Sequence, residues 1–509
     1  MMGIKGRAFA PLVNVSLEDL VPADHFYRHL ERTLDLSFVR DLVRPFYAAG
    51  GRPSIDPVVF FKLQLALFFE DIRSERLLMR TVADRLSVRW YLGYDLDEGL
   101  PDHSSLTKIR ERYGLDTFRR FFEAIVDQCQ EAHLVWGKDL YVDATKVAAN
   151  ASLDSVKPRF AVEAHRAALF ATDREEDLIP DAEVTGVAVV TPLDLPVPLS
   201  DAQRTDLAAT NATRQEWIER AGRPARDVVR NGYRRVADFR ASLTDPAATL
   251  MPLKGGGLHL GYHDHYVVDG GKARIILQVL VTPSEVMENQ PALDLLWRSR
   301  FRWRVWPQHA TGDTTYGTLE IIKALEDEGI RAYMPLPDVG KRHLLFGLDD
   351  FAYDAARDTY TCPHGTILPF YYYKHRDQLR VYRADAATCN ACPLKTQCTT
   401  SDKGRTIHRN VEERYLDRVR AYHQTEAYEQ AMGKRKVWVE PLFAEAKDGH
   451  GLRRFRLRRL WKVNCEALGT ATGQNLKRLL SWRGWGRRPW PGGTRGLALG
   501  TPVARYLRV

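Results

Sequence analysis

Cysteine is scarce: the chain has six in 509 residues, and four of these fall between 362 and 398. So sparse a supply excludes a disulfide-stapled secreted scaffold, and clustering in a reducing compartment points to metal before disulfide. Long apolar runs are also missing. The closest, VVFFKLQLALFF at 58–69, is interrupted by Lys62 and Gln64 and falls short of the ~18 residues a membrane helix needs, so no membrane partner is expected. The opening MMGIKGRAFAPLVNV lacks the apolar core and cleavage site of a secretory leader, and the expected location is the cytoplasm. Acids are outnumbered 65 to 74 by Lys and Arg, for a net charge of +9. That balance favours an acidic partner, nucleic acid or an anionic surface, without choosing between them. With 44% hydrophobic and 27% charged residues, the length allows two to four domains with sizeable cores.

What is present is unevenly spread. Residues 431–488 hold fifteen Lys and Arg against four acids, Glu440, Glu445, Asp448 and Glu466, so this stretch alone exceeds the charge excess of the whole chain. Within it, Val437, Val439, Leu442, Phe443 and Ala446 recur at helical spacing, with Pro441 in the first turn, where proline is tolerated. Glu440 and Lys447 lie seven apart, on one face. A glutamate beside such an apolar stripe must be paired, hydrogen-bonded or metal-bound if it is buried. Arg453, Arg454, Arg456, Arg458, Arg459 and Lys462 follow, interleaved with Phe455 and Trp461. A basic run is commonly a solvated helix face. The interleaved aromatics and the shortage of local acids instead suit a phosphate-binding surface, and an acid within it suggests chemistry on a polyanion.

Taken in order, residues 1–125 read as all helical. LEDLVPADHFYRHLERTLDLSFVRDLVRPFY gives two amphipathic segments, Pro57 starts a helix through Phe69, and Asp102 to Ser105 cap a later one. Arg73, Arg76, Arg80, Arg85 and Arg89, then Lys108, Arg110 and Arg112, fit either a helix-turn-helix on DNA or a plain bundle with a basic rim. Residues 126–340 bring a mixed α/β pattern. Leu140, Tyr141 and Val142 form a short strand ending at Asp143, which either projects into a site at the sheet edge or caps a turn. Residues 158–250 read as a helical insertion, with fragments such as DVVRNGYRRVADFRASL. GYHDHYVVDGGKARIILQVLVTP carries a hairpin signal at DGGK. WPQHATGDTTYGTLEIIKALEDEGIRAYMPLP then gives strand, loop, helix and strand; Asp313 stands at the first loop, where a helix cap is the plainer role, and Tyr316 closes the turn.

Residues 341–410 form a Cys-rich insert. Cys362, Cys389, Cys392 and Cys398, in YTCPHG and TCNACPLKTQC, can supply four thiolates to a structural tetrahedral Zn²⁺, with His364 able to replace one and idle thiols the alternative. Residues 411–480 are helical, and 481–509 make a basic Gly/Arg/Pro tail.

Singly, Asp143, Asp313 and Glu440 are weak signals. Together they fit two aspartates on neighbouring strands and a glutamate on a helix packed across the sheet, a set able to hold two divalent cations for phosphodiester chemistry, Mg²⁺ or Mn²⁺. With the blocks DHSSLTKIRERYG, LYVDATKVAANAS, TGDTTYGTLE, the CP…CxxCP…C insert and RKVWVEPLFAEAKDGHGLRRFRLRRLWKV, the chain resembles the DDE transposases of bacterial insertion sequences, in the branch with a helical N-terminal domain and a Cys-rich insertion. The resemblance spans about 15–480. It implies an RNase H-like core and metal-dependent cleavage and joining of double-stranded DNA at terminal inverted repeats, by a homodimer on paired ends. It also implies that Asp143, Asp313 and Glu440 are the catalytic acids, with Arg435 and Lys447 as companions. Met432 stands near the place of the family's Tyr, and Glu445 competes with Glu440 for third acid. A regulator that binds the ends without cutting them shares the basic helices and the insert.

Overall fold

The computed structural model describes residues 15–48, 54–158, 240–252, 257–337 and 345–486. Its N-terminal region is helical: α1 (Leu17–Leu20), α2 (Phe26–Thr33), α3 (Phe38–Val43), α4 (Pro57–Phe69), α5 (Glu75–Asp84), α6 (Leu86–Leu92) and α7 (His103–Glu131). The first stretch, read as two segments, divides into three helices, because Val21 and Leu34 leave helical geometry at the ends of α1 and α2. Side chains start the others. Asp56 accepts the Val58 N–H at 2.8 Å, Ser74 that of Leu77, and Asp102 that of Ser104 at 2.8 Å, satisfying amides with no partner inside their helices. Helix α4 is apolar nearly all round and buries Phe60, Phe61, Leu63, Leu65 and Ala66, which marks it as the centre of the helical layer.

The central sheet contains β1 (Asp139–Ala148), β4 (Thr249–Pro252), β5 (Leu258–Asp269), β6 (Ile276–Pro283), β7 (His309–Thr311) and β8 (Arg331–Tyr333), while β2 (Val156–Pro158) and β3 (Arg240–Ser242) pair apart from it. The RAS of the stretch expected to be helical is therefore strand β3. The rest of that insertion, 159–239, lies outside the described residues, as does the tail from 487. Strand β5 is antiparallel to β1 and carries β4 and β6 on its other edge, whereas β7 and β8 run parallel to β1. The DGGK hairpin joins β5 to β6 as expected. Helix α8 (Ala292–Trp303) leads into β7, and α9 (Leu319–Asp327) crosses from β7 to β8.

A second, antiparallel sheet in the order β13-β12-β11-β10-β9 forms the insert: β9 (Ala352–Asp354), β10 (Thr359–Thr361), β11 (Ile367–Lys374), β12 (Leu379–Arg383), short helices α10 (Ala386–Asn390) and α11 (Lys395–Cys398), and β13 (Thr406–Asn410). It packs a small core of its own from Phe351, Tyr360, Leu368, Tyr382 and Ile407. Helices α12 (Glu413–Tyr422), α13 (Glu426–Trp438) and α14 (Glu440–Ala444) return to the main sheet, followed by a π-helical turn (Glu445–Gly449) and α15 (Leu460–Trp482).

Helix α15 joins the layers. Asn464 bonds both backbone groups of Val281, and Asn475 both of Ile276, at 2.8–3.0 Å. Eleven helical residues rise roughly 16 Å and five strand residues span about the same, so the two amides meet strand β6 in register and satisfy its unpaired edge. On the opposite face, Gly473 lies against the Phe68 ring of α4, where an added Cβ would come within 2.3 Å. One apolar core therefore runs from α4 through α15 into β5 and β6.

Candidate active site

Strand β1 does not stop at Asp143; it continues to Ala148, because β5 pairs with it from Leu140 to Ala148. The parallel ladder with β7 ends at Tyr141, so Asp143 stands just past it, at an open corner of the sheet. Asp313 follows β7 at the same corner. Its Oδ1 caps a short turn by accepting the Thr315 N–H at 2.8 Å, and its Oδ2 remains free to face the site. The expected cap and the expected site role thus fall to different oxygens of one carboxylate.

Glu440 arrives from the helices. Pro441 has no N–H to give the Val437 carbonyl, which instead accepts from Arg274 at 3.2 Å, and the helix breaks at Val439 into α13 and α14. The single helix expected from Val437 is therefore two. Val439, Leu442, Phe443 and Ala446 are buried as the spacing predicts, but Val437 is 55% exposed, since it ends α13 on the outer side of the break. Glu440 itself is exposed at 57% of its side chain, so solvation and nearby charge, not burial, set its environment.

The three acids converge on one cation. Arg435, only 12% exposed, places Nη2 at 2.8 Å from Asp143 and 4.0 Å from Asp313, and Nη1 at 4.0 Å from Glu440. Burial pushes the Asp143 carboxyl up to about 6, against the Arg435 charge and the Ala144 N–H that favour its ionised form, with the Asp313 charge adding to the rise. Lys447, brought round by the π-helical turn, donates to Thr145 Oγ1 at 2.6 Å, two residues past Asp143 on the same strand face. Burial lowers the Lys447 pKa, as does Arg453, while Asp264 opposes them. Glu445 points elsewhere: it is bound by Lys477 at 2.6 Å, Arg478 at 3.2 Å and His450 at 3.9 Å. Although burial works against its charge, these partners hold its carboxyl well below the usual range.

Two stretches match family models: residues 15–112 match a transposase domain (DUF772), and residues 361–480 a transposase DDE domain. The two matches support a DDE transposase of insertion-sequence type. Glu440, Arg435 and Lys447 fall within the second match, while Asp143 and Asp313 lie between the two. No curated protein matches the transposase, and no solved structure matches it.

The basic stretch of the transposase is less free than its composition suggests. The backbone at Arg453 and Phe455 bonds Ala148 at the end of β1, so the segment lies along the sheet. Arg456 reaches Glu75 at 3.2 Å, Lys462 reaches Glu111 at 2.6 Å, and Arg458 donates to the Asn150 carbonyl at 2.9 Å. Arg453 and Arg454 are exposed, the former paired with Asp448, and Arg459 takes up a left-handed backbone at φ 75° before α15. Among the N-terminal cations, Arg110 is buried against Glu75, linking α7 to α5, and Arg89 donates to the carbonyls of Asp95 and Glu98 in the loop after α6; neither presents its charge to a ligand. Sequence reasoning cannot see such pairings, because the partners are backbone carbonyls or side chains of other segments.

Cys362, Cys389, Cys392 and Cys398 line one small cavity of the insert, all as free thiols. The Thr366 N–H points at Cys362 Sγ at 3.3 Å and the Arg405 N–H at Cys389 Sγ at 3.5 Å. Among the described residues, no three His, Cys, Asp or Glu side chains are disposed to hold a metal ion as they stand, and no helix is long and apolar enough to cross a membrane.

One acid at the corner was not anticipated. Glu288, on the loop between β6 and α8, has its pKa raised by burial and by the charges of Asp313 and Asp143. A lone glutamate in an aperiodic loop gives no signal in sequence.

Proposed function

We propose that this transposase cleaves DNA at the terminal inverted repeats of its insertion sequence and joins the freed 3′ ends to target DNA, with Asp143, Asp313 and Glu440 as the acids of a Mg²⁺ or Mn²⁺ site. The observation that carries the reading is the convergence of three carboxylates, 127 or more positions apart in sequence, on the single Arg435 guanidinium. A buried cation already sits among the three acids, so the donor set suits positive charge, and hard oxygen donors suit these ions. When bound, such ions polarise the phosphodiester and stabilise the leaving 3′ oxygen. The chain's own part is to hold Asp143 on a rigid strand, to fix one oxygen of Asp313 by its turn and to leave Glu440 open to solvent and substrate. Arg435 and Lys447 place two cations beside the phosphate path, where they would hold non-bridging oxygens. Strand order also supports an RNase H-like core: a central β1 is flanked by an antiparallel hairpin on one side and two parallel strands on the other.

The N-terminal helices and the exposed arginines of residues 453–458 would contact double-stranded DNA, and pairing of two ends calls for a homodimer. Cys362, Cys389, Cys392 and Cys398, which line one cavity, would hold a structural Zn²⁺ on drawing inward, with Cys362 and Cys389 Sγ already accepting backbone N–H groups as outer partners of a thiolate site do. A DNA-binding cytoplasmic enzyme would associate with the nucleoid.

The test is cleavage of DNA carrying the sequences that flank the coding region. Wild-type chain with Mg²⁺ should nick at the repeat ends, and Asp143→Asn, Asp313→Asn and Glu440→Gln should each lower nicking by about 10³-fold or more while sparing DNA binding. Binding without cleavage under any divalent cation would identify a regulator instead.

A further inference from the structure

The β6–α8 loop brings a fourth carboxylate to the corner occupied by Asp143 and Asp313. The Glu288 side chain is 23% exposed, and His263 Nε2 lies 3.6 Å from its carboxylate. That histidine supplies no positive charge: burial lowers its pKa to about 4, and its Nδ1 is engaged by the Val286 carbonyl at 3.0 Å. Among the described residues, no Lys or Arg forms an ion pair with Glu288; the charge of Lys146 favours its ionised form only from farther off, against the stronger effect of Asp313 and Asp143. Arg435 serves the other three acids and does not reach this one.

A second observation points to a ligand. Tyr316 sits one turn past Asp313, fully buried, and among the described residues its hydroxyl has no hydrogen-bond partner. The charged groups around it are Asp143, Glu288, Asp313 and Arg435. Its ring is pressed against Gly312, where an added Cβ would come within 3.0 Å, so the side chain is held in place beside Asp313. A buried hydroxyl left without a partner costs about 1–3 kcal/mol, and a half-buried carboxylate beside two others is repelled. One occupant relieves both: a hydrated divalent cation, whose waters donate to the hydroxyl oxygen and to the carboxylate.

We propose that Glu288 is a positioning residue of the cation site, gripping the water shell of an ion held by Asp143 and Asp313, with the Tyr316 hydroxyl fixing that shell from beneath. The inference rests on the reading of Asp143 and Asp313 as ion ligands. Mg²⁺ and Mn²⁺ keep several waters when bound by few carboxylates, so the acids that direct those waters help set affinity.

The test uses the full chain without DNA and Mn²⁺ alone, with free ion read by electron paramagnetic resonance and stability by thermal melting. Glu288→Gln should weaken Mn²⁺ binding by about 10–100-fold, while the melting temperature of the metal-free protein stays level or rises, because a repelled charge is gone. Glu288→Asp should recover part of the affinity, and Tyr316→Phe should weaken it in the same direction. Mn²⁺ affinity within twofold of wild type in Glu288→Gln, or a lower metal-free melting temperature, overturns the proposal, since either makes Glu288 a bystander or a structural residue. If Asp143→Asn weakens Mn²⁺ binding and Glu288→Gln does not, this inference alone falls. If neither variant changes binding, the reading of the acids as ligands falls with it.

Discussion

Residue by residue, the two glutamates of α14 and the turn after it separate function from stability. Glu440 is solvent-exposed and meets Arg435 only at 4.0 Å, so Glu440→Gln should change folding stability by no more than about 0.5 kcal/mol. Glu445→Gln leaves Lys477 and Arg478 short of a partner; the loss should be on the order of 2–3 kcal/mol, below the range for a fully buried pair because Lys477 is partly solvated. Thermal melting of the two variants checks this: a Glu440 variant that unfolds as readily as the Glu445 variant would contradict it. Asp143 adds a pH signature. Its pKa is raised in the folded chain to about 6 from an ordinary 3.8, so the folded state binds this proton more tightly than the unfolded chain. The stability it contributes is complete below the ordinary value and is lost as pH rises through about 6. Metal-free Asp143→Asn should therefore gain melting temperature relative to wild type as pH is raised from 4 to 7; a constant difference would show that Asp143 is not held in that state. Asp143 was legible because it follows the apolar run Leu140–Val142, although its strand continues to Ala148, and Asp313 because it stands in the loop between a short strand and a helix. The partners of Arg110 and Arg89 were not, because charge patterns carry no information on pairing across helices or with backbone carbonyls.

Among the elements, proline and glycine set where the site can form. Pro441 ends α13 where Glu440 must leave the helix, and the proline was visible in sequence, although the break it causes was not placed. Gly473 lets α4 close on α15. Gly473→Ala puts a methyl against the Phe68 ring and should destabilise by about 1–3 kcal/mol, which denaturant unfolding reads as a lower midpoint with unchanged slope; an unaffected midpoint would mean that α4 can shift outward at no cost. The paired amides of Asn464 and Asn475 were not readable, because their partners on β6 lie 183 and 199 residues away. The strands and helices around Asp313 were readable, since apolar periodicity switches there from strand to helix within one short unit.

At the scale of the whole molecule, one core spans the N-terminal helices, α15 and the sheet, so the helices expected to touch DNA are carried rigidly on the element that packs behind the acids. The insert stands apart with a core of its own. About one equivalent of zinc per chain should be found by metal analysis, and removing it should unfold β9–β13 before the rest; a zinc-free chain with an intact insert would return the four thiols to idleness. The measurement that bears most directly on the acids is a crystal structure of the chain soaked in Mn²⁺, read by anomalous scattering. The account predicts manganese about 2 Å from carboxylate oxygens of Asp143, Asp313 and Glu440, with Arg435 displaced from their centre. Density that leaves any of the three unbound, with Arg435 still among them at saturating Mn²⁺, would contradict it.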